Sequence, residues 1–129
     1  MANRKRERIR QHYERRVSPY REGYDILDWA DRDSQTNRFH AFLELISGRY
    51  RADCIHTVTG GGATTAPPPR FLDPDTVTIL DVGCGITDLA VYMQEIGVTA
   101  RYVGADITPG ILREARRRYP ERELVLTDV

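Results

Sequence analysis

Three aspartates, Asp81, Asp106 and Asp128, each stand near the end of a short run of apolar and β-branched residues. The first opens a glycine turn within the stretch TVTILDVGCGITDLAVYM, residues 76–93. The carboxyl ends of parallel strands meet at one rim of a sheet, and ligands bind there. Three carboxylates at one rim therefore indicate a ligand that offers several hydrogen-bond donors.

The glycine turn is the second feature that could do chemistry. Gly83 and Gly85 follow an apolar run and precede a helical pattern, and Asp106 lies 19 residues after Thr87. Glycines permit a tight turn and close approach of a ligand to the backbone. An acid at the end of the next strand, at this spacing, binds ribose hydroxyls. The context predicts a nucleoside site; the alternative is that the glycines serve only a short turn.

The residues after the turn bear on the kind of nucleoside. A dinucleotide site normally has a third glycine, so that the pyrophosphate can rest on a helix N-terminus. Here the run after Gly83 is CGITD, which places Asp88 in the first turn of the helix. A carboxylate there repels a pyrophosphate. The sequence therefore favours a nucleoside without phosphates over NAD.

The elements that must position these residues alternate along residues 76–129. VTILDV, ARYVGADI and ELVLTDV read as strands, and ITDLAVYMQEIG and TPGILREARRRYP read as helices. Thr108 and Pro109 are a typical N-cap and first helical residue. The order predicts an α/β fold, a βαβαβ half of a doubly wound sheet with parallel strand order 3-2-1. The nearly continuous apolar character of VTILDV predicts a strand buried on both faces.

Helices are predicted before this unit, within a cap of residues 1–55. Residues 4–21 are strongly basic, and Ile9, Tyr13 and Val17 form a narrow apolar stripe. We favour an amphipathic helix lying on the domain over a nucleic-acid-binding arm. A short turn of helix near Ile26 and a longer helix that begins at Asp33 or Ser34 follow. Residues 56–75, rich in glycine and proline, are predicted to be a flexible loop.

The stretch ILDVGCGITDLAVYM resembles the first motif of class I S-adenosylmethionine-dependent methyltransferases. YVGADITPGILREARRRYP is similar to their second motif, and ELVLTDV to the strand that follows. The resemblance covers residues 77–129, with Thr87 in place of a third glycine. It implies a Rossmann-like fold, with S-adenosylmethionine as cofactor. The implied residues are Asp81, Gly83, Cys84 and Gly85 for the methionine half, Asp106 for the ribose, Ile107 and Val129 beside the adenine, and Asp128 for its amino group.

The methionine carboxylate needs a cation, which these motifs do not contain. Our candidate is Arg38 in the N-terminal helices, with Tyr20 and Tyr24 as hydrogen-bonding neighbours. The alternative for Arg38, equally open, is a surface arginine whose stem packs on its helix. The three histidines show no metal-ligand spacing, so no metal site is predicted.

The bulk properties set limits on function and location. Lys+Arg and Asp+Glu are 19 each, so no global charge favours nucleic acid or an anionic membrane. The basic N-terminus and the lack of a long apolar run predict neither a secretory signal nor a membrane span. Two cysteines without CxxC spacing lead us to expect a reducing, cytoplasmic setting. We expect a methyltransferase acting on a small molecule. The alternatives are an NAD-type oxidoreductase fragment and a non-catalytic binding module.

The chain ends after the third predicted strand, whereas the family's sheet continues. The resemblance therefore implies the cofactor-binding part of a longer enzyme, without the acceptor site and inactive alone. It also predicts that the first strand, central in the family, has an open edge here. Such an edge favours self-association.

Overall fold

The computed structural model describes residues 2–46 and 77–128. Three helices come first: α1 (Ala2–Glu14), α2 (Gly23–Ile26) and α3 (Arg32–Ile46). The rest alternates as β1 (Thr78–Val82), α4 (Asp88–Glu95), β2 (Arg101–Asp106), α5 (Pro109–Arg118) and β3 (Glu123–Leu126). The predicted α/β class is confirmed, while the predicted loop at 56–75 lies outside the described residues. No helix in the described ranges is both long and apolar enough to cross a bilayer.

The three strands form one parallel sheet in the order β1-β2-β3, which confirms the predicted adjacency. Leu80 is paired with Val103, and Ala105 is paired with both Val82 and Val125. Paired residues of parallel strands point to the same face. The register therefore brings the ends of β1 and β2, with Val82 opposite Ala105, to one rim.

Two apolar clusters fasten the helices to the sheet. One is formed by buried residues of α3, β1, α4 and the segment after it: Leu43, Ile79, Leu89, Met93 and Val98. The other is formed by buried residues of α2, the glycine turn and α5: Ile26, Ile86, Ile111 and Ala115. Tyr13 and Val17 pack against the second cluster. The predicted placement of α1 on the domain is thus confirmed, although Ile9, the third residue of the stripe, stays 42% exposed.

Two predicted helix starts have different outcomes. α3 begins at Arg32, because the Asp31 carboxylate accepts a hydrogen bond of 2.7 Å from the Ser34 amide. The predicted N-cap, Asp33 or Ser34, was therefore wrong by two or three residues. At α5 the prediction is confirmed, since Thr108 precedes the helix and Pro109 is its first residue.

The prediction that β1 is buried on both faces was wrong. Leu80 and Val82 are 59% and 58% exposed, and Val125 on the same face of β3 is also exposed. Ile79 and Leu124 point to the opposite face, where they pack in the two clusters with α4 and α5. An apolar run shows that a strand suits burial but does not show how many faces are covered. Within the described residues, the outer part of this face, with Leu80 and Val82, therefore stays more than half exposed.

Candidate functional site

A cavity of about 220 Å³ lies at the carboxyl rim of the sheet. Four of the residues predicted from the sequence line it: Gly83, Asp106, Ile107 and Asp128. Arg6 and Ile9 of α1 form the wall on the opposite side. The strand register brings the four predicted residues together, because Gly83, Asp106 and Ile107 directly follow or end a strand and Asp128 lies two residues after β3. Two of the three acids at the strand ends, Asp106 and Asp128, thus line this cavity, which is the candidate site.

The glycine turn is fastened to the end of β2. The amides of Gly83 and Cys84 both donate to the Ala105 carbonyl, at 2.8 and 3.0 Å. Gly83 and Gly85 have φ values of +76° and +57°, which favour glycine. A Cβ on Gly83 would meet open space, whereas one on Gly85 would overlap the Leu27 side chain. The turn thus needs both glycines and leaves room above Gly83.

Asp106 is held in place by two backbone amides. Its Oδ2 accepts from the Gly85 amide at 3.1 Å, and its Oδ1 accepts from the Thr108 amide at 2.8 Å. The residue is only 8% exposed, and it lines the cavity. A carboxylate offers about four acceptor positions, so each oxygen keeps capacity for another donor. The carboxylate is therefore oriented before any ligand arrives and can accept from two hydroxyls.

Asp81 lies beside the turn but outside the cavity lining. Its Oδ2 accepts from the Tyr102 hydroxyl at 2.6 Å. Burial raises the pKa of the Asp81 carboxyl, the tyrosine bond lowers it, and the charges of Asp106 and Asp88 raise it further. Burial, followed by the Asp81 charge, also raises the pKa of Tyr102, so the phenol keeps its proton. Asp81 is a partly desolvated acid that a cation would stabilise.

Cys84, also predicted to line the methionine half, points its side chain into the protein. It is 4% exposed, and its thiol lies 2.9 Å from the position that a Cβ on Gly104 would occupy. Burial raises the pKa of this thiol well above its usual range, and nearby acids add to the effect. Any contact of Cys84 with a ligand would therefore be made by its backbone.

Asp128 is paired with a residue that sequence reasoning missed. The Arg6 guanidinium lies 2.8 Å from Asp128 Oδ2, and each side chain is about half exposed. Arg6 precedes Ile9 by three residues and so shares its helix face. That spacing could have identified Arg6 once α1 was expected to lie on the domain. Val129, predicted beside the adenine, lies outside the described residues.

Arg38 and its two tyrosines are not brought to the cavity. The Arg38 guanidinium lies over the Trp29 ring at 4.8 Å from its centroid. Tyr20 is 95% exposed, and Tyr24 lines a different cavity, of about 180 Å³, between α2, α3 and α4. The stacking on Trp29 supports the structural alternative for Arg38. Its role toward a methionine carboxylate stays a prediction.

The N-terminus of α4 is covered by the N-terminal helices. The Asp88 carboxylate in its first turn accepts from Gln35 Nε2 at 2.9 Å, and the Gly23 backbone lies against it. Burial raises the pKa of Asp88, and the Gln35 bond opposes this rise. An acid and two packed elements thus occupy the place where a dinucleotide pyrophosphate would rest.

A comparison with protein families agrees with this geometry. Residues 79–129 match the family model described as a methyltransferase domain. The matched segment contains nearly all of β1, the glycine turn, α4, β2, α5 and β3. No curated protein and no solved structure matches the chain. With its parallel sheet and its glycine turn, the segment 79–129 is therefore similar to methyltransferase domains, as the resemblance of its motifs predicted.

Proposed function

We propose that the protein binds S-adenosylmethionine in the rim cavity, as the cofactor-binding part of an enzyme that transfers the methyl group to a small-molecule acceptor. The observation that carries the proposal is the Asp106 carboxylate. It is buried, oriented by two amides and open to the cavity, within the segment that matches a methyltransferase domain. Two vicinal hydroxyls of a ribose are donors that suit the remaining acceptor positions of such a carboxylate.

The cavity suits the nucleoside part of this cofactor. Small-molecule pockets have volumes of about 300–1,000 Å³, and this cavity of about 220 Å³ is somewhat smaller. It therefore suits a nucleoside better than the whole cofactor. Ile9 and Ile107 supply apolar surface for the faces of a base. By the family resemblance, the methionine part would lie along Gly83 and Gly85, near Asp81.

The chemistry follows from placement. When bound, the cofactor supplies a methyl group on a positively charged sulfur. The protein's contribution to such a displacement is to hold donor and acceptor in line. In this chain, Asp106 would hold the ribose, and the glycine turn would let the ligand approach the backbone. The desolvated Asp81 would attract the cationic part of the ligand. The neutral composition supports a small acceptor over a polyanion.

The oxidoreductase alternative is less well supported. A dinucleotide would need the α4 N-terminus for its pyrophosphate, where Asp88, Gln35 and Gly23 are packed together. Displacing them would bring a negative ligand against a carboxylate. S-adenosylmethionine carries no phosphate and does not need that position.

The test is calorimetry with S-adenosylmethionine, S-adenosylhomocysteine and NAD on wild-type protein and Asp106→Asn. We expect both sulfur compounds to bind and NAD not to bind. Asp106→Asn should weaken binding by about 2 kcal/mol, since hydrogen bonds to a charged group contribute about 1.5–3 kcal/mol. The matched control is Asp33→Asn, which neutralises an exposed aspartate of α3. Binding of NAD in place of the sulfur compounds, or unchanged affinity in folded Asp106→Asn, would contradict the proposal.

A further inference from the structure

The Arg6–Asp128 pair places a donor and an acceptor side by side in the cavity wall. The guanidinium uses its Nη1 and the carboxylate its Oδ2, at 2.8 Å. A guanidinium has five N–H donors and a carboxylate about four acceptor positions, so both groups keep bonding capacity. The ends of β2 and β3, with Asp106, Ile107 and Thr127, line the same cavity. The pair is therefore beside the space proposed for the base.

A neighbouring donor and acceptor match one edge of adenine. Its exocyclic amino group is a donor, and the adjacent ring nitrogen is an acceptor. Hypoxanthine and guanine present an oxygen acceptor in place of that amino group. A carboxylate repels such an oxygen, so the pair would also exclude these bases.

The position of Arg6 is fixed by the other end of its helix. The Glu14 carboxylate accepts from the Gly110 amide at 3.0 and 3.2 Å, at the start of α5. Tyr13 and Val17 pack against the cluster that contains Ile26 and Ile111. These contacts hold α1 against α5 and so keep Arg6 at the cavity wall. Arg6 and Asp128 are 54% and 45% exposed, and pairs so exposed contribute little to stability. The pair can therefore adjust to a ligand at small cost.

The family resemblance already assigns Asp128 to the amino group of adenine, and we propose that Arg6 recognises the ring nitrogen next to that group. Asp128 accepts from the amino group, and Arg6 donates to the ring nitrogen next to it. Arg6 is thus a specificity-determining residue supplied by α1, outside the segment that matches the methyltransferase family. The inference rests on the proposed function, because it assumes that an adenine nucleoside occupies the cavity.

The experiment uses calorimetry with S-adenosylhomocysteine and three analogues. Two replace adenine N1 or N7 by carbon, and the third carries hypoxanthine in place of adenine. The proteins are wild type, Arg6→Met and the control Arg4→Met, which removes one exposed positive charge from the same helix. Methionine keeps much of the length of arginine but has no donors.

We expect the wild type to bind S-adenosylhomocysteine about 10-fold or more tightly than the hypoxanthine analogue, as a two-point base contact predicts. Arg6→Met should bind S-adenosylhomocysteine about 10-fold more weakly than the wild type does. For the carbon-substituted analogue that lacks the contacted nitrogen, Arg6→Met and the wild type should bind with the same affinity. Such non-additivity identifies a direct contact. Arg4→Met should bind every ligand like the wild type.

The failures of the two proposals are distinguishable. If wild-type protein does not bind S-adenosylhomocysteine, the proposed function fails, and this inference fails with it. If Asp106→Asn weakens binding but Arg6→Met does not, the function stands and the inference fails. The inference would also be overturned if Arg6→Met weakened the binding of S-adenosylhomocysteine and of both carbon-substituted analogues by the same factor. Arg6 would then act only through its charge or through the position of α1.

Discussion

At the scale of single residues, Thr87 has an unusual environment. Its φ of +68° lies in the left-handed region, which a β-branched residue rarely adopts. The side chain is fully buried, and its hydroxyl has no hydrogen-bond partner in the described part of the protein. The left-handed backbone costs a non-glycine residue about 1–2 kcal/mol. A buried hydroxyl without a partner adds to that cost.

Thr87→Gly should therefore raise the free energy of unfolding. Glycine relieves the backbone strain and removes the unpaired hydroxyl, and both effects stabilise the folded state. They outweigh the lost burial of the methyl group and the larger conformational entropy that glycine loses on folding, so the net gain is about 1 kcal/mol. Urea unfolding measures the change. Thr87→Val keeps the branched side chain and should gain less. A glycine variant less stable than the wild type would show that the threonine side chain stabilises the turn.

Sequence reasoning predicted the positions of site residues at the ends of strands better than the positions of those on helices. Gly83, Asp106 and Ile107 directly follow or end strands, and the parallel register then places them at one rim. Arg38 lies over Trp29 and not in the cavity lining, because a helical pattern does not encode which part of the sheet a helix packs on. Arg6 was missed for the same reason: its neighbour Asp128 is 122 residues away in sequence.

At the scale of elements, the attachment of α1 depends on one carboxylate. Glu14 accepts from the Gly110 amide in the first turn of α5, where the helix dipole favours a negative charge. Arg113 lies 3.5 Å from the same carboxylate. The bond thus joins the first helix of the chain to the second helix of the βαβαβ unit. The packing of Tyr13 on the second cluster and the Arg6–Asp128 pair are further contacts of α1.

Glu14→Gln should loosen α1 and lower the stability of the protein by about 1 kcal/mol, the value of a helix cap. Amide hydrogen exchange should show faster exchange along α1 with little change in the strands. Glu7→Gln is the control, because the partners of Glu7 among the described residues, Arg10 and Gln11, belong to its own helix. If α1 exchanges at the wild-type rate in Glu14→Gln, the apolar contacts of Tyr13 and Val17 hold it without the cap.

The elements themselves were well predicted, but the covering of the sheet was not. The strand and helix patterns of residues 78–126 gave the right order because each pattern is local. The exposure of Leu80 and Val82 depends on what packs on that face. Their apolar character is the same whether a helix covers them or not.

At the scale of the whole molecule, β1 joins an exposed apolar face to an unpaired edge. In the described residues, β1 pairs only with β2. Leu80 and Val82, both more than half exposed, lie on it. Edge strands with apolar surface promote association between chains. The predicted self-association through β1 stays a prediction, and the structure offers residues with which to test it.

Leu80→Lys should reduce self-association, because a charge on the exposed face of the edge strand opposes pairing. Size-exclusion chromatography with light scattering, over a range of protein concentrations, measures the mass. Leu45→Lys is the matched control, since Leu45 is also 59% exposed but belongs to the helix α3 and cannot take part in strand pairing. A wild-type protein that stays monomeric at every concentration would refute the expectation.

The packing of Cys84 has a consequence for the chemical durability of the site. Peroxides and disulfides react with the thiolate of a cysteine, and burial with a raised pKa keeps Cys84 in its thiol form. Cys84 is 4% exposed and lies so close to Gly104 that a Cβ there would be 2.9 Å from the sulfur, so an oxidant has little access to it. The turn that shapes the cavity should therefore survive oxidative stress with its sulfur unmodified, although that sulfur lies between the two glycines that the ligand approaches.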